Sequence, residues 1–171
     1  MKNTRPDKED YHAFYETYIG KISTNDIVEA LTQRFSTTMA FISSIPMEKW
    51  DFAYAEGKWT IKELLVHLLD AERIFTNRAL RIARNDKTAL PGFDQDDYAP
   101  FTGANERSAA SIIEEYESVR KASLTLFKNL STEMWQRKGV ASDSTITPLA
   151  IAYIILGHET HHFSVLRERY L

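Results

Sequence analysis

The chain closes with residues 147–171, which read TPLAIAYIILGHETHHFSVLRERYL. Thr147 offers a side chain for the N-cap, and Pro148 suits the first helical position, where its missing N–H group is not needed. The apolar run that follows predicts one long helix. His158 and His162 are four residues apart, so they lie one turn apart on the same face, among apolar residues rather than on the polar face.

Two histidines at the centre of an apolar face need a physical reason, because a buried imidazole without a partner is costly. A single histidine there is more often a core residue than a ligand, but a pair suits a metal ion if another segment adds a third ligand. His67 is the candidate, since it flanks the apolar stripe of another predicted helix within LLVHLL. We expect His12 at the surface and His161 beside the site, lining a pocket. His161 could replace His162 as a ligand, but His162 would then be unexplained.

Three histidines from two helices leave a fourth position open, as in catalytic zinc sites. An ion held in this way acts as a Lewis acid or activates water. Imidazole suits zinc, nickel, iron and copper alike, so the ligand type does not select the metal. Residues 158–162 also spell H-E-x-x-H, in which Glu159 would be the general base of a metalloprotease. We disfavour this interpretation, because no further ligand follows downstream.

Three further stretches combine a capping side chain with apolar residues at helical spacing. They are residues 27–42 after Thr24-Asn25-Asp26 and before Pro46, residues Ile61–Ala83 after the capping box of Thr60 and Glu63, and residues 109–127 after Ser108. We expect Leu80 to belong to the buried stripe of the second of these helices. The pattern predicts an all-α four-helix bundle, with one domain over residues 25–171.

The connecting segments are polar and show no pattern typical of a strand. Residues 1–24 predict an N-terminal arm or short helix that is rich in tyrosine. Residues 85–107 are expected to be an irregular crossover between helices two and three, with an acidic cluster at Asp94, Asp96 and Asp97. Residues 131–135 predict a short helical turn that Gly139 ends, and residues 140–146 a polar loop.

Composition excludes several classes of function. The 171 residues contain no cysteine, which excludes disulfides and thiolate metal ligands. The formal net charge of −3 gives no general attraction to nucleic acid or anionic membranes. The N-terminus is charged and unlike a signal peptide, and the longest apolar run, Leu149–Leu156, is too short to span a bilayer. We therefore expect a cytoplasmic protein that has neither a nucleic acid nor a membrane as its partner.

The order of several motifs resembles the DinB/YfiT-like superfamily of small metalloproteins. The resemblance rests on GKWTIKE at 57–63 leading to His67, on DAER at 70–73, on LPGFDQDDY at 90–98 and on GHETHH at 157–162. It implies an up-down-down-up bundle and a divalent metal, nickel or zinc, held by His67, His158 and His162. It also implies frequent dimerisation. Members with an assigned activity include thiol S-transferases that use bacillithiol or mycothiol, and a mycothiol-dependent isomerase.

The sequence therefore predicts a divalent-metal-dependent enzyme, with a thiol S-transferase acting on a low-molecular-weight thiol as the first hypothesis. The alternatives are a metal-dependent hydrolase and a non-catalytic, stress-related metal-binding bundle. Glu63 and Glu159 lie close enough in sequence to orient a ligand imidazole. Weaker candidates for binding a charged substrate are Arg73, Arg78, Arg120 and the acidic cluster, but we expect them to lie on solvated helix faces or at a loop tip. We expect the large aromatic residues to belong to the core or to a pocket wall; they are Trp50, Tyr54, Trp59 and Trp135.

Overall fold

Helices dominate the structure, a computed structural model that describes residues 5–171. Short 3₁₀ turns occur at Lys8–Asp10, Ala13–Tyr15, Met47–Lys49, Ala99–Phe101 and Ala104–Glu106. In chain order, the other elements are α1 (Glu16–Ile19), α2 (Ile27–Ser43), α3 (Ile61–Ala83), α4 (Gln95–Tyr98), α5 (Ala109–Lys128), α6 (Thr132–Gln136), β1 (Gly139–Ala141), β2 (Ser144–Ile146) and α7 (Pro148–Arg169).

The four long helices α2, α3, α5 and α7 form the predicted four-helix bundle. Helix α3 packs against both α5 and α7, and α2 also packs against α5 and α7. The order around the bundle is therefore α2, α5, α3, α7. The buried face of α7 is nearly continuous, because each residue from Pro148 to Glu159 is buried. The central position of α7 explains why its sequence is apolar on almost all sides.

Side-chain caps start the long helices where the sequence predicts them. Thr60 and Glu63 form a reciprocal capping box at the start of α3, with distances of 3.1 and 2.8 Å. Ser108 accepts a hydrogen bond from the Ser111 N–H at α5, and Thr147 caps α7 in the same way. Since these caps satisfy N–H groups that have no partner within the helix, they fix where each helix begins.

A β-hairpin replaces the predicted polar loop over residues 140–146, so the expectation that the chain forms no strand is wrong here. Strands β1 and β2 pair antiparallel, with Val140 opposite Thr145. Ser142 and Asp143 make the turn with φ angles of 51° and 59°. Positive φ at both central residues is typical of a two-residue hairpin turn, which usually contains glycine or asparagine. The sequence lacks that signal, and three-residue strands are too short to show alternation.

The crossover between α3 and α5 is more ordered than predicted. It contains α4 and two 3₁₀ turns, and it is tied to the hairpin because the Leu90 N–H donates to the Val140 carbonyl (2.9 Å) and Ser142 N–H to the Leu90 carbonyl (3.0 Å). Another correction concerns Leu80, which is 39% exposed rather than buried. It lies in a surface groove between α3 and α5, outside the stripe that faces the core.

The N-terminal segment forms turns and α1, and α1 packs against α7. Residues 1–4 of the predicted arm lie outside the described residues. A single domain over residues 25–171 stays a prediction. Within residues 5–171, no helix has both the length and the apolar character that crossing a membrane requires.

Candidate metal centre

Three imidazoles meet between α3 and α7. The Nε2 atom of His158 lies 3.1 Å from Nε2 of His67 and 3.0 Å from Nε2 of His162. His67 comes from α3, and the other two lie one turn apart on α7. The ligand nitrogens of the three side chains all lie within 4.8 Å of one another. The structure thus brings together the three histidines that the sequence singles out, although 91 residues separate His67 from His158.

Burial keeps these imidazoles neutral. His67 and His158 are 7% and 6% exposed, and His162 is partly buried. Loss of hydration lowers the pKa of His67 to about 4. Burial also lowers the pKa of His162 to about 3, with a further contribution from the charges of His67 and His161. The pKa of His158 is lowered well below its usual value by burial and by its three histidine neighbours.

The donor set fits a metal ion. A tetrahedral ion bonded to imidazole nitrogens at about 2.0–2.1 Å places those nitrogens ~3.3 Å apart. The measured separations from His158 are 3.0 and 3.1 Å, close to that value. Neutral imidazoles offer lone pairs, and the three Nε2 atoms point at one another rather than at separate hydrogen-bond acceptors. Three such nitrogens could hold one divalent ion and would leave a coordination position open.

The other two histidines lie where the sequence predicts them. His161 is partly buried, contacts the ring of His162 at a centroid distance of 5.1 Å and lines the pocket beside it. His12 is exposed and caps the 3₁₀ turn at Ala13–Tyr15. Neither ring belongs to the group of three nitrogens that lie close together.

Two cavities reach the histidine cluster from different sides. The first, the polar chamber, has a volume of about 430 Å³. It is lined by Tyr54, Gly57, Lys58, Trp59, Leu64, Gln95, Asp96, His161, His162, Val165 and Tyr170. The second, the aromatic chamber, has a volume of about 310 Å³. It is lined by Phe14, Tyr15, Tyr18, His67, Ala71, Phe75, Phe93, Asp94, Gln95, Asp96 and His158.

Helix α4 of the crossover contributes to both chambers, because Gln95 and Asp96 line each of them. Asp94 caps α4 by accepting a hydrogen bond from the Asp96 N–H at 2.9 Å. The acidic cluster is exposed, as predicted for a loop tip, but Asp94 and Asp96 also line the aromatic chamber. The crossover therefore forms part of the wall of the site.

Tyr18 is a site residue that the sequence reasoning did not single out. Its ring contacts His158 edge-on at a centroid distance of 5.1 Å and His161 at 5.8 Å. Burial, followed by the charge of Tyr15, raises the pKa of Tyr18. The one sequence feature that could have indicated this contact is Gly157. A Cβ atom there would lie 2.2 Å from the backbone oxygen of Tyr18, so only glycine permits α1 to approach α7 this closely.

Glu159 faces away from the imidazoles and into the core. Its carboxylate accepts hydrogen bonds from Thr38 (2.8 Å), from Tyr116 (2.7 Å) and from Arg120. Glu63 closes the capping box of α3 and accepts a hydrogen bond from Asn105 at 2.9 Å. In the part of the chain that the structure describes, neither carboxylate is hydrogen-bonded to an imidazole. The prediction that one of them orients a ligand histidine is therefore wrong, and H-E-x-x-H does not place a base at this site.

Two of the three arginines also differ from expectation. Arg120 is 1% exposed and forms ion pairs with Glu72 and Glu159 instead of lying on a solvated face. Arg78 is 3% exposed and donates to the Pro91 carbonyl at 2.6 Å. A helical-wheel projection cannot place them inside, because the partners that stabilise them come from other elements. Arg73 is exposed as predicted and pairs with Glu115.

The large aromatic side chains are core or pocket wall, as predicted. Trp50 and Trp135 are buried, with 2% and 5% of their surface exposed. Tyr54 and Trp59 line the polar chamber, and the ring of Trp59 lies over His67 at a centroid distance of 4.9 Å.

Fold and site together define a class: a four-helix bundle in which three buried histidines converge beside two open chambers. The chain belongs to the DinB superfamily, whose sequence profile matches residues 30–166. A protein of Oceanobacillus iheyensis, named as a candidate metal-dependent hydrolase, is 25% identical over 155 residues. That alignment covers 86% of this chain and 87% of the relative.

Solved structures share the fold. YfiT from Bacillus subtilis, described as a candidate metal-dependent hydrolase with an unusual four-helix bundle topology, superposes with a TM-score of 0.70 at 14% identity. The match covers 97% of this chain and 91% of YfiT. A mycothiol-dependent maleylpyruvate isomerase superposes with a TM-score of 0.66 at 10% identity, covering 85% of this chain and 61% of the isomerase. At these identities the likeness concerns the fold alone.

Proposed function

We propose that this protein is a metal-dependent thiol S-transferase in which His67, His158 and His162 hold one divalent ion, zinc or nickel. The observation that carries the proposal is the convergence of three neutral imidazole nitrogens at a point that two chambers reach. A transferase must bring a thiol and an electrophile together. Two chambers of about 430 and 310 Å³ offer each reactant its own space.

A divalent ion held by these three histidines would supply one chemical effect: it would lower the pKa of a bound thiol or water molecule. The chain's own residues would position the reactants. Lys58, Asp96 and Gln95 line the polar chamber and offer charged and amide groups to a polar thiol. His161 lines the polar chamber beside His162, where its ring would lie close enough to accept the thiol proton. The sulfur then bonds to the electrophilic carbon as its leaving group departs.

The aromatic chamber would hold the electrophile. Tyr18, Phe75 and Phe93 give it apolar walls, and His67 and His158 lie at its inner end. A shared fold with a mycothiol-dependent isomerase supports a small thiol as one reactant. A cytoplasmic location remains a prediction from the charged N-terminus and the short apolar run, and a homodimer remains a prediction from the resemblance.

A metal-dependent hydrolase is the second candidate. It is supported by the O. iheyensis relative and by YfiT, both of which are named as candidate hydrolases. In this case water would occupy the open position, and the substrate alone would extend into a chamber. The two candidates therefore share a metal centre and differ in the nucleophile.

A paired assay tests the proposal. Protein loaded with zinc or nickel is incubated with bacillithiol, mycothiol, cysteine or glutathione and with 1-chloro-2,4-dinitrobenzene, and loss of thiol is followed. A parallel assay without thiol follows hydrolysis of a p-nitrophenyl ester. Thiol-dependent conjugation that His67→Ala abolishes and His12→Ala preserves supports the transferase. Metal-dependent ester hydrolysis without conjugation favours the second candidate, and no turnover above His67→Ala in either assay contradicts both.

A further inference from the structure

A small cavity lies behind the histidine cluster, on the side of His158 that faces the bundle core. Its volume is about 10 Å³, close to the minimum that one water molecule needs. Its polar lining comes from His158, Arg120, Tyr116 and the two carboxylates of Glu72 and Glu159, and its apolar lining from Leu68, Phe75 and Ile155. The cavity is therefore polar enough to hold a water, and it connects a histidine of the cluster to buried charges.

Arg120 is the centre of those charges. Its Nε atom donates to Glu72 at 2.9 Å, and its Nη2 atom donates to both Glu72 (2.8 Å) and Glu159. Nη1 of the same guanidinium is buried and has no hydrogen-bond partner in the part of the chain that the structure describes. A buried guanidinium N–H without an acceptor is destabilising, so this group needs an acceptor in or beside the cavity.

His158 has an unused nitrogen as well. Its Nε2 atom lies 3.1 Å from Nε2 of His67 and 3.0 Å from Nε2 of His162. If either neighbour donates to Nε2 of His158, that nitrogen accepts through its single lone pair, and the neutral ring then carries its proton on Nδ1. An Nδ1–H group on a ring that is 6% exposed needs an acceptor of its own.

We propose that one buried water in this cavity joins His158 to Arg120 and Glu72, and that Glu72 is a positioning residue for the histidine cluster. The water accepts from Nδ1–H of His158 and from Nη1–H of Arg120, and it donates to the Glu72 carboxylate. These contacts fix the Nδ1–H tautomer of His158 and keep its single Nε2 lone pair directed into the histidine cluster.

The net charge of the buried ion pairs around Arg120 also favours a cation at the histidine cluster. Two carboxylates, of Glu72 and Glu159, share one guanidinium, so the group carries a residual negative charge behind His158. A cation on the cluster would offset it. This part of the inference rests on the proposed metal site, whereas the water and the tautomer do not.

The first test uses metal-free wild-type protein. Long-range ¹H–¹⁵N correlation spectra at pH 7.5 report which ring nitrogen of His158 carries the proton, and a high-resolution crystal structure shows whether a water bridges Nη1 of Arg120 and Nδ1 of His158. We expect the Nδ1–H tautomer and the water. An Nε2–H tautomer, or no ordered water between these two nitrogens, overturns the proposal. A purely structural ion pair would not set the tautomer.

The second test compares Glu72→Gln with Glu115→Gln, a matched control on α5 whose carboxylate pairs with Arg73 and Arg107. Residues that orient ligand histidines typically change metal affinity roughly 10–100-fold when substituted. We expect the Kd for Zn²⁺ to rise by that factor in Glu72→Gln and to stay within about twofold in Glu115→Gln. Equal Kd values in the two variants overturn the proposal. If wild type binds no metal, the proposed function fails, and the first test alone decides this inference.

Discussion

Gly157 precedes the first histidine of α7 and lies where α1 crosses that helix. A Cβ atom at this position would come within 2.2 Å of the Tyr18 oxygen and 2.5 Å of its carbonyl carbon. Both contacts are with backbone, so a side-chain rotation cannot relieve them. At the scale of one residue, the missing Cβ places the ring of Tyr18 against His158 and so forms one wall of the aromatic chamber.

Gly157→Ala should therefore destabilise the protein. In an exposed helix this change stabilises by about 1 kcal/mol, but overpacking here should cost about 1–3 kcal/mol and displace α1. Urea unfolding measures the free energy, and Tyr18 amide exchange reports the displacement. Ser164→Ala, at an exposed position of α7, is the control and should be neutral or slightly stabilising. A gain in stability in Gly157→Ala would contradict the close contact.

The histidine pKa values predict how stability depends on pH. His67 and His162 titrate at about 4 and about 3 in the folded protein, below the 6.5 of a free histidine. Below pH 6.5 the unfolded chain therefore binds protons that the folded chain does not. The free energy of unfolding decreases as the pH is lowered, until the folded-state pKa of each group is reached, about 4 for His67 and about 3 for His162. At roughly 1.4 kcal/mol per pH unit for each group, metal-free protein should lose about 2–4 kcal/mol between pH 7 and pH 5.

Urea unfolding of metal-free protein at pH 7, 6 and 5 tests this dependence, and His162→Gln should show a smaller loss. The chosen range lies above most carboxyl titrations. Equal unfolding free energies at pH 7 and pH 5 would show that the imidazoles are not held in a poorly hydrated environment.

At the scale of elements, Arg78 helps to hold the start of the crossover in place. Arg78 of α3 donates to the Pro91 carbonyl (2.6 Å) and to Ser142 Oγ (3.2 Å), and its guanidinium lies 5.7 Å from the ring centroid of Phe93. These contacts join the start of the crossover to the hairpin, and the residues that follow line both chambers.

Arg78→Ala should loosen the crossover. Loss of buried hydrogen bonds from a charged group predicts a destabilisation of about 1–3 kcal/mol and faster amide exchange at Leu90 and Ser142. Arg73→Ala removes an exposed arginine from the same helix and should cost less than about 1 kcal/mol. Equal exchange rates at Leu90 in the two variants would contradict the role of Arg78.

The elements that could be predicted from sequence are those whose signals are local. The bounds predicted for α3, Ile61–Ala83, agree with the structure because a capping box and apolar periodicity act within the helix itself. The hairpin could not be predicted because its turn lacks glycine and asparagine and its strands are too short to show alternation, and because its tie to Leu90 is tertiary. The exposure of Leu80 could not be predicted either, because it depends on which helix packs against α3.

At the scale of the whole molecule, the bundle brings His67 of α3 beside the pair on α7. The histidines could be singled out from sequence because imidazoles on apolar faces are conspicuous and few. Arg120 could not, because its burial depends on Glu72 and Glu159 from two other helices. The two chambers were also unpredictable, since segments that are distant in the sequence converge to form their walls.

The central claim is that His67, His158 and His162 hold one divalent ion, and metal stoichiometry tests it most directly. Protein purified without a histidine tag is equilibrated with Zn²⁺ or Ni²⁺, passed over a desalting column and analysed by mass spectrometry for metal content. We predict about one ion per chain in wild type and in His12→Ala, and strong loss in both His67→Ala and His162→Ala. Unchanged stoichiometry in the last two variants would contradict the three-histidine site.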